Sequence, residues 1–526
     1  MTYDTVIVGA GSAGCVLANR LSANPAHRVL VLEAGGRDWH PFIHMPAGLA
    51  KLVYNKRINW DFHTEPEANL AHRRLWWPRG KVLGGSSSIN AMCYTRGAPA
   101  DYDEWAALTG DARWSWSNVL PVFKRSEGNT RGANAWHGAD GPLAVADLRH
   151  HNELSEIVIE AAAAAGIPRN DDFNAESQQG FGYYQVTQKN GARCSAAVAY
   201  LAPVRARENL TVQTNALTTR VLIEGSRAVG VTYRQHGRDV RVEAGCVILA
   251  GGAINSPQLL MLSGIGPADH LRQHGIAVAR DLPGVGANLQ DHLDICTLVR
   301  STRPVTYDKT SDIAVALEFL LRRSGIGTSN IAEAGGFVRS RYATDARPDL
   351  QFHFVPALLD QHGRHRLEGY GYTLHACALR PKSRGAIRLG SADPFAHPSI
   401  RPNYISDAEG YDLAMLIEGA RLSREIFAQA PFVPYRGEEI FPGTDARSDA
   451  DLETFIRRKA ETIYHPIGTC RMGSGADAVV DSELRVHGIE GLRVVDASVM
   501  PVLIGGNTNA PTIMIAERAS DLIAGS

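Results

Sequence analysis

The stretch "TVIVGAGSAGCVLANRLS", residues 5–22, constrains the fold more than any other part of the chain. Val6, Ile7 and Val8 form a β-branched run suited to a buried strand, and Gly9, Gly11 and Gly14 follow it in the GxGxxG spacing. In that spacing the first glycine permits a tight turn, the second lets the backbone approach a pyrophosphate, and the third lets the next helix lie close on the strand. The segment "CVLANRLS" reads as that helix, its N-terminal amides and dipole directed at the phosphates. A second strand, "RVLVLEAG", ends at Glu33, roughly twenty residues beyond Gly11, where an acid can bond ribose hydroxyls. An acid there disfavours a 2′-phosphate, while NAD and FAD, which share an ADP ribose, both remain open.

A chain of 526 residues exceeds one ordinary core, so two or three domains, or one large bilobal unit, are expected. A formal net charge of -1 gives no global field for nucleic acid, which is excluded as a partner class at this level. The 7 cysteines are odd in number and widely spaced, with no CxxC pair, a pattern of free thiols in a reducing compartment and not of disulfides or a zinc site. The N-terminus "MTYDTVIVGAG" carries no basic segment followed by a long apolar run, and the expected location is cytoplasmic. No run of about 18 apolar residues suits a spanning helix, which leaves peripheral contact with the inner face of the membrane open.

Two longer stretches go further. "GKVLGGSSSINAMCY" (80–94) offers exposed amides and hydroxyls that can cradle a phosphate and approach a flat ring, and "GAINSPQLLMLSGIG" (252–266) repeats the glycine turn and helix, with Ser256-Pro257 expected to open the helix. With the N-terminal fingerprint and "HPIGTCRMG…LRVVDASVMP…GGNTNAPTIMIAE", they resemble the signatures of the glucose-methanol-choline family of FAD oxidoreductases, in the family's order across nearly the whole chain. The likeness is greatest to bacterial choline-dehydrogenase-like members, the medium-chain alkanol dehydrogenases among them. It implies an α/β Rossmann-like FAD domain joined to an α+β substrate domain. It also implies FAD contacts from Gly9, Gly11, Ser12, Ala13, Gly14, Glu33 and Ala34, from Val82, Gly84, Gly85, Ser86, Asn90, Ala91, Met92 and Cys93, and from Thr218. At the C-terminal end the implied contacts are Asp496, Ala497, Asn509, Pro511 and Thr512. Members with covalent flavin carry histidine just before Asn90; Ile89 stands there, so noncovalent FAD is implied.

"YHPIGTCRMG" (464–473) is ambiguous by itself, because a residue before proline is held extended or turn-like in structural turns and active sites alike. The resemblance implies that His465 and Asn507 are the catalytic pair. Imidazole can take the hydroxyl proton of an alcohol; an amide cannot, so His465 is the base and Asn507 the donor that orients the oxygen. Asn509 is the expected cap of the final helix, with Pro511 in its first turn.

The FAD domain is expected from residues 1–155, 205–300 and 462–526, and the substrate domain, an antiparallel sheet backed by helices, from 156–204 and 301–461. The aromatic segment 59–80 lacks periodicity and reads as a loop over the flavin. His353, His375 and His397 read as structural or solvent-facing. In "GTSNIAEAGGF" (327–337), Ile331 suits an apolar pocket, whereas Glu333 is either a buried structural acid or the partner of a quaternary ammonium. The leading activity is FAD-dependent oxidation of a primary, apolar, medium-chain alcohol, with quinone or oxygen as acceptor. The alternatives are choline dehydrogenase, alcohol oxidase, a lyase of hydroxynitrile type, and a nicotinamide-linked dehydrogenase.

Overall fold

The computed structural model describes residues 2–525. Its first sheet runs in the order 210–213, 29–32, 2–8, 238–249, 227–235 and 216–224, and strand Leu492–Val494 also pairs with the long strand Arg238–Leu249. Strands Leu210–Gln213, Val29–Leu32, Thr2–Val8 and the C-terminal half of Arg238–Leu249 are parallel, whereas the two remaining neighbours form an antiparallel meander with the N-terminal half. Val6, Ile7, Val29 and Val31 are wholly buried, as expected for strands covered on both faces.

The second sheet has the order 436–441, 293–301, 371–378, 350–355, 334–338 and 180–183, and every pairing in it is antiparallel. Helices Tyr411–Ala428 and Glu153–Ala164 pack against it. Strand Leu293–Ser301 belongs to this sheet, although residues 293–300 were assigned by sequence to the FAD portion. The chain therefore enters the second sheet at Leu293, after the turn 283–286 and the bridges at Leu289 and Gln290. That crossing brings His292 and Asp294 to the junction of the two sheets.

Two further expectations need correction. The segment 59–80 is no open loop. Phe62–His63 pairs with Trp76–Trp77 in a short ribbon, and Phe62 and Trp77 are almost fully buried. The helix of the second glycine motif begins at Gly252, not at Ser256, because Asp496 accepts the Gly252 N–H at 2.8 Å and the Ser256 hydroxyl at 2.6 Å. Pro257 consequently sits inside the helix, where it cannot bond the Ala253 carbonyl. Thr469 of the HPIGT turn donates to that carbonyl instead, at 2.6 Å.

Candidate active site

One continuous cavity of ≈ 1060 Å³ lies between the sheets and is lined by both, from Gly9 and Gly11 at one end to His465 and Asn507 at the other. Two helices begin on its wall, Ser12–Leu21 and Asn509–Ala524, and neither has a side-chain cap of its own. Their starts are joined by the Ser12 hydroxyl donating to Asn509 Oδ1 at 2.7 Å. Thr508, not Asn509, holds the cap position of the second helix. Backbone amides at both helix starts are thus left to face an anion.

The glycines separate into those that make room and those that make contact. A methyl on Gly11 would meet only Gly85 Cα, at 3.9 Å, and would otherwise project into the cavity. A methyl on Gly14 would meet Gly9 O at 1.8 Å, so this glycine seats helix on strand and does not reach the cavity. Val82, Gly84 and Pro511 also stand behind the wall: Val82 packs with Ile89 and Ile43, Gly84 is left-handed and abuts Ser88, and Pro511 is buried within its helix. The other sequence-predicted cofactor residues, from Ser12 and Ala13 through Asn90 and Thr218 to Ala497 and Thr512, line the cavity. Glu33 accepts from Ala10 N at 2.9 Å and from Gly35 N at 2.8 Å, and burial pushes its carboxyl up to about 7 against those two bonds.

His465 and Asn507 meet on the cavity wall: the Asn507 amide donates to His465 Nε2 at 3.1 Å. The orientation of that amide is fixed from its other side, since Oδ1 accepts from Gln351 Nε2 at 3.0 Å and from the Thr95 hydroxyl at 3.1 Å. Behind His465, its Nδ1 lies 3.0 Å from His292 Nδ1, and Asp291 accepts the His465 backbone N–H at 2.7 Å. Burial, then the neighbouring His292, His353 and Arg79, hold the His465 imidazole well below its ordinary 6.5. Its imidazole is held neutral at pH 7. Four non-glycine residues that line the cavity, Met92 (φ 61), Ile331 (φ 72), His362 (φ 54) and Tyr464 (φ 71), are left-handed. Such backbone costs about 1–3 kcal/mol per residue and gathers at functional sites.

His353 and His375 are buried and line the cavity, contrary to the solvent-facing alternative, whereas His397 is exposed and packs edge-on against Phe62. Burial lowers His353 to about 4. Asp294, Cys296, His362 and His375 have donor atoms within 4.8 Å of one another, and these atoms are spent on mutual hydrogen bonds. His375 Nδ1 is 2.7 Å from Asp294. Glu333 is not among the residues that line the cavity; it is fully buried and accepts from Asn152 N, Ser155, Tyr307 and Ser329. All seven cysteines are free thiols.

The GMC oxidoreductase family models match residues 3–294 and 381–516. The chain belongs to the GMC oxidoreductases. It is 51% identical to an alcohol dehydrogenase [acceptor] of Pseudomonas putida, over 99% of this chain and 95% of that one. It is 47% identical to the mitochondrial choline dehydrogenase of Homo sapiens, over 99% and 90%. Among solved structures, pyridoxine 4-oxidase from Mesorbium loti superposes with a TM-score of 0.91 at 34% identity, covering 100% of this chain and 99% of that one. A formate oxidase of Aspergillus oryzae RIB40 gives 0.93 at 28%, over 100% and 98%.

The cofactor of this GMC oxidoreductase is FAD, and the cavity fits it. The space opposite Gly11 is open, two uncapped helix starts face it, and the buried Thr218 hydroxyl on its wall has no protein partner. Sequence reasoning missed Asp291, His292, Gln351 and Thr95, which hold the His465–Asn507 pair. The only sequence signal for the first two is the short polar run "QDH" (290–292) directly ahead of a strand.

Proposed function

We propose that this GMC oxidoreductase oxidises primary alcohols with apolar chains to aldehydes, with His465 as the base and Asn507 as the orienting donor. FAD, when bound, accepts the hydride that leaves the alcohol carbon. The protein's part is to hold the hydroxyl between His465 Nε2, which takes its proton, and the Asn507 amide, which donates to its oxygen. The 3.1 Å contact between those two groups carries the reading, because an alcohol oxygen entering there meets acceptor and donor together.

The apolar preference rests on the walls. Phe42, Met45, Val53, Ile313, Leu317 and Ile331 line the cavity. The acids that line it among the described residues are Glu33, Asp308, Asp312 and Asp496. Glu33 and Asp496 serve the glycine turns, Asp308 accepts from Leu358 N and Gly371 N, and Asp312 pairs with Lys51. A quaternary ammonium would find no spare carboxylate. Each buried methylene is worth about 0.8 kcal/mol, so kcat/KM should climb through the series from ethanol to octanol, with choline poor. Choline outperforming octanol at equal concentration would refute the apolar assignment.

The same reading takes FAD as noncovalent, because Ile89 is buried on the cavity wall where a covalent histidine would stand. Acid precipitation should leave all the flavin in the supernatant, and flavin retained in the pellet would contradict this. The acceptor is proposed to be a quinone-type carrier, in keeping with a P. putida relative named for an acceptor. No described helix is long and apolar enough to cross a membrane. Peripheral attachment is proposed from helix Asp312–Arg322, whose Ile313, Leu320 and Leu321 are 74%, 63% and 79% exposed beside basic Arg322 and Arg323 at the cavity mouth.

A further inference from the structure

Behind the proposed base lies a chain of hydrogen bonds with only one consistent direction. The Leu379 carbonyl, 3.2 Å from His292 Nε2, can only accept, so that nitrogen carries a proton. Burial is the largest influence keeping His292 neutral, lowering it to about 3, so its Nδ1 is a bare lone pair. His465 Nδ1, 3.0 Å away, must then be the donor. A neutral imidazole that donates from Nδ1 has its lone pair on Nε2, the atom that accepts from Asn507. Both rings are buried, and they meet edge-on at an interplanar angle of 87°, which aims one nitrogen of each at the other.

We propose that His292 is a positioning residue that sets the tautomer of His465, so that the base presents Nε2 to the alcohol. This rests on the reading of His465 as the base. Without an acceptor behind it, His465 Nδ1–H would be a stranded buried donor. Nothing would then hold the proton at Nδ1, and with the proton on Nε2 the lone pair needed for the hydroxyl proton would face away. No group other than His292 bonds His465 Nδ1 among the described residues. The Asp291 carboxylate next in sequence is occupied by the His465 backbone N–H, Thr462 and Tyr404, so it cannot substitute.

Two variants separate this from a packing role. His292→Asn keeps an acceptor oxygen near the position of Nδ1, whereas His292→Leu keeps the bulk and removes it. Anaerobic flavin reduction by octanol should slow by about 10- to 10²-fold in His292→Leu, the factor for stranding one buried donor. His292→Asn should stay within about tenfold of wild type, and FAD content and apparent alcohol affinity should hold in both. In 15N-histidine spectra of the wild-type holoenzyme, with the signal assigned by its loss in His465→Asn, His465 should be protonated at Nδ1 and bare at Nε2. The Leu variant should show the reverse. Equal losses in the Asn and Leu variants, or an Nε2-protonated His465 in wild type, would overturn the inference. If the Leu variant fails to hold FAD, the wild-type spectrum decides alone. A slowed His465→Ala with an unslowed His292→Leu would sink the tautomer role and leave the base standing; an unslowed His465→Ala would sink both.

Discussion

At His465, burial settles the protonation state before any alcohol arrives. Desolvation, reinforced by His292, His353 and Arg79, disfavours the imidazolium, so the group is neutral across the physiological range. As the proposed base, it is competent above its lowered pKa, and the rate is lost only as pH falls through that value. Flavin reduction should therefore be flat through the ordinary imidazole range and above it, and decline only in acid, as stopped-flow rates across a buffer series would show. An inflection at or above the ordinary imidazole value near 6.5 would place the titrating base elsewhere. The residue types for this chemistry were legible in "HPIG" and "GGNTN", because acceptor and donor are read directly from side chains. The groups that orient them were not. His292 lies 173 residues from His465, and nothing local in "QDH" reveals which nitrogen it will face.

At the scale of elements, glycine turns and their borrowed caps place the site. Gly14 fixes helix on strand, Asp496 caps a helix from another segment, and Thr469 satisfies the carbonyl that Pro257 frees. The strand-turn-helix order at the N-terminus was readable because it is set within thirty residues. The start of the Gly252 helix was misplaced because its cap comes from Asp496, 244 residues away. The aromatic segment 59–80 looked structureless for a related reason: its two short strands pair with each other, too briefly to show a period. The exposed helix Asp312–Arg322 makes its own prediction. Leu321→Asp should weaken co-sedimentation with anionic phospholipid vesicles by about tenfold, roughly the transfer energy of one apolar side chain. Binding equal to wild type would remove that helix from any membrane contact.

In the whole molecule, a mixed sheet whose parallel strands lead into glycine turns faces an antiparallel sheet that carries His353 and His375 within its strands, and both line the cavity. Strand Leu293–Ser301 starts at their junction, which is why Gln290, Asp291 and His292 can grip the HPIG turn through paired backbone bonds between Gln290 and Ile467. The two-sheet plan was expected from the order of motifs; the point of crossing was not, since the sequence around 293 alternates like a strand of either sheet. On the function proposed above, the fold delivers an alcohol hydroxyl to a neutral His465. Anaerobic stopped-flow reduction of the FAD-loaded wild type and His465→Ala by octanol tests it most directly. Rapid bleaching is expected in wild type and a rate lower by roughly 10²- to 10⁴-fold in the variant, the usual share of a general base, with FAD content unchanged. Bleaching at the wild-type rate in His465→Ala would contradict it.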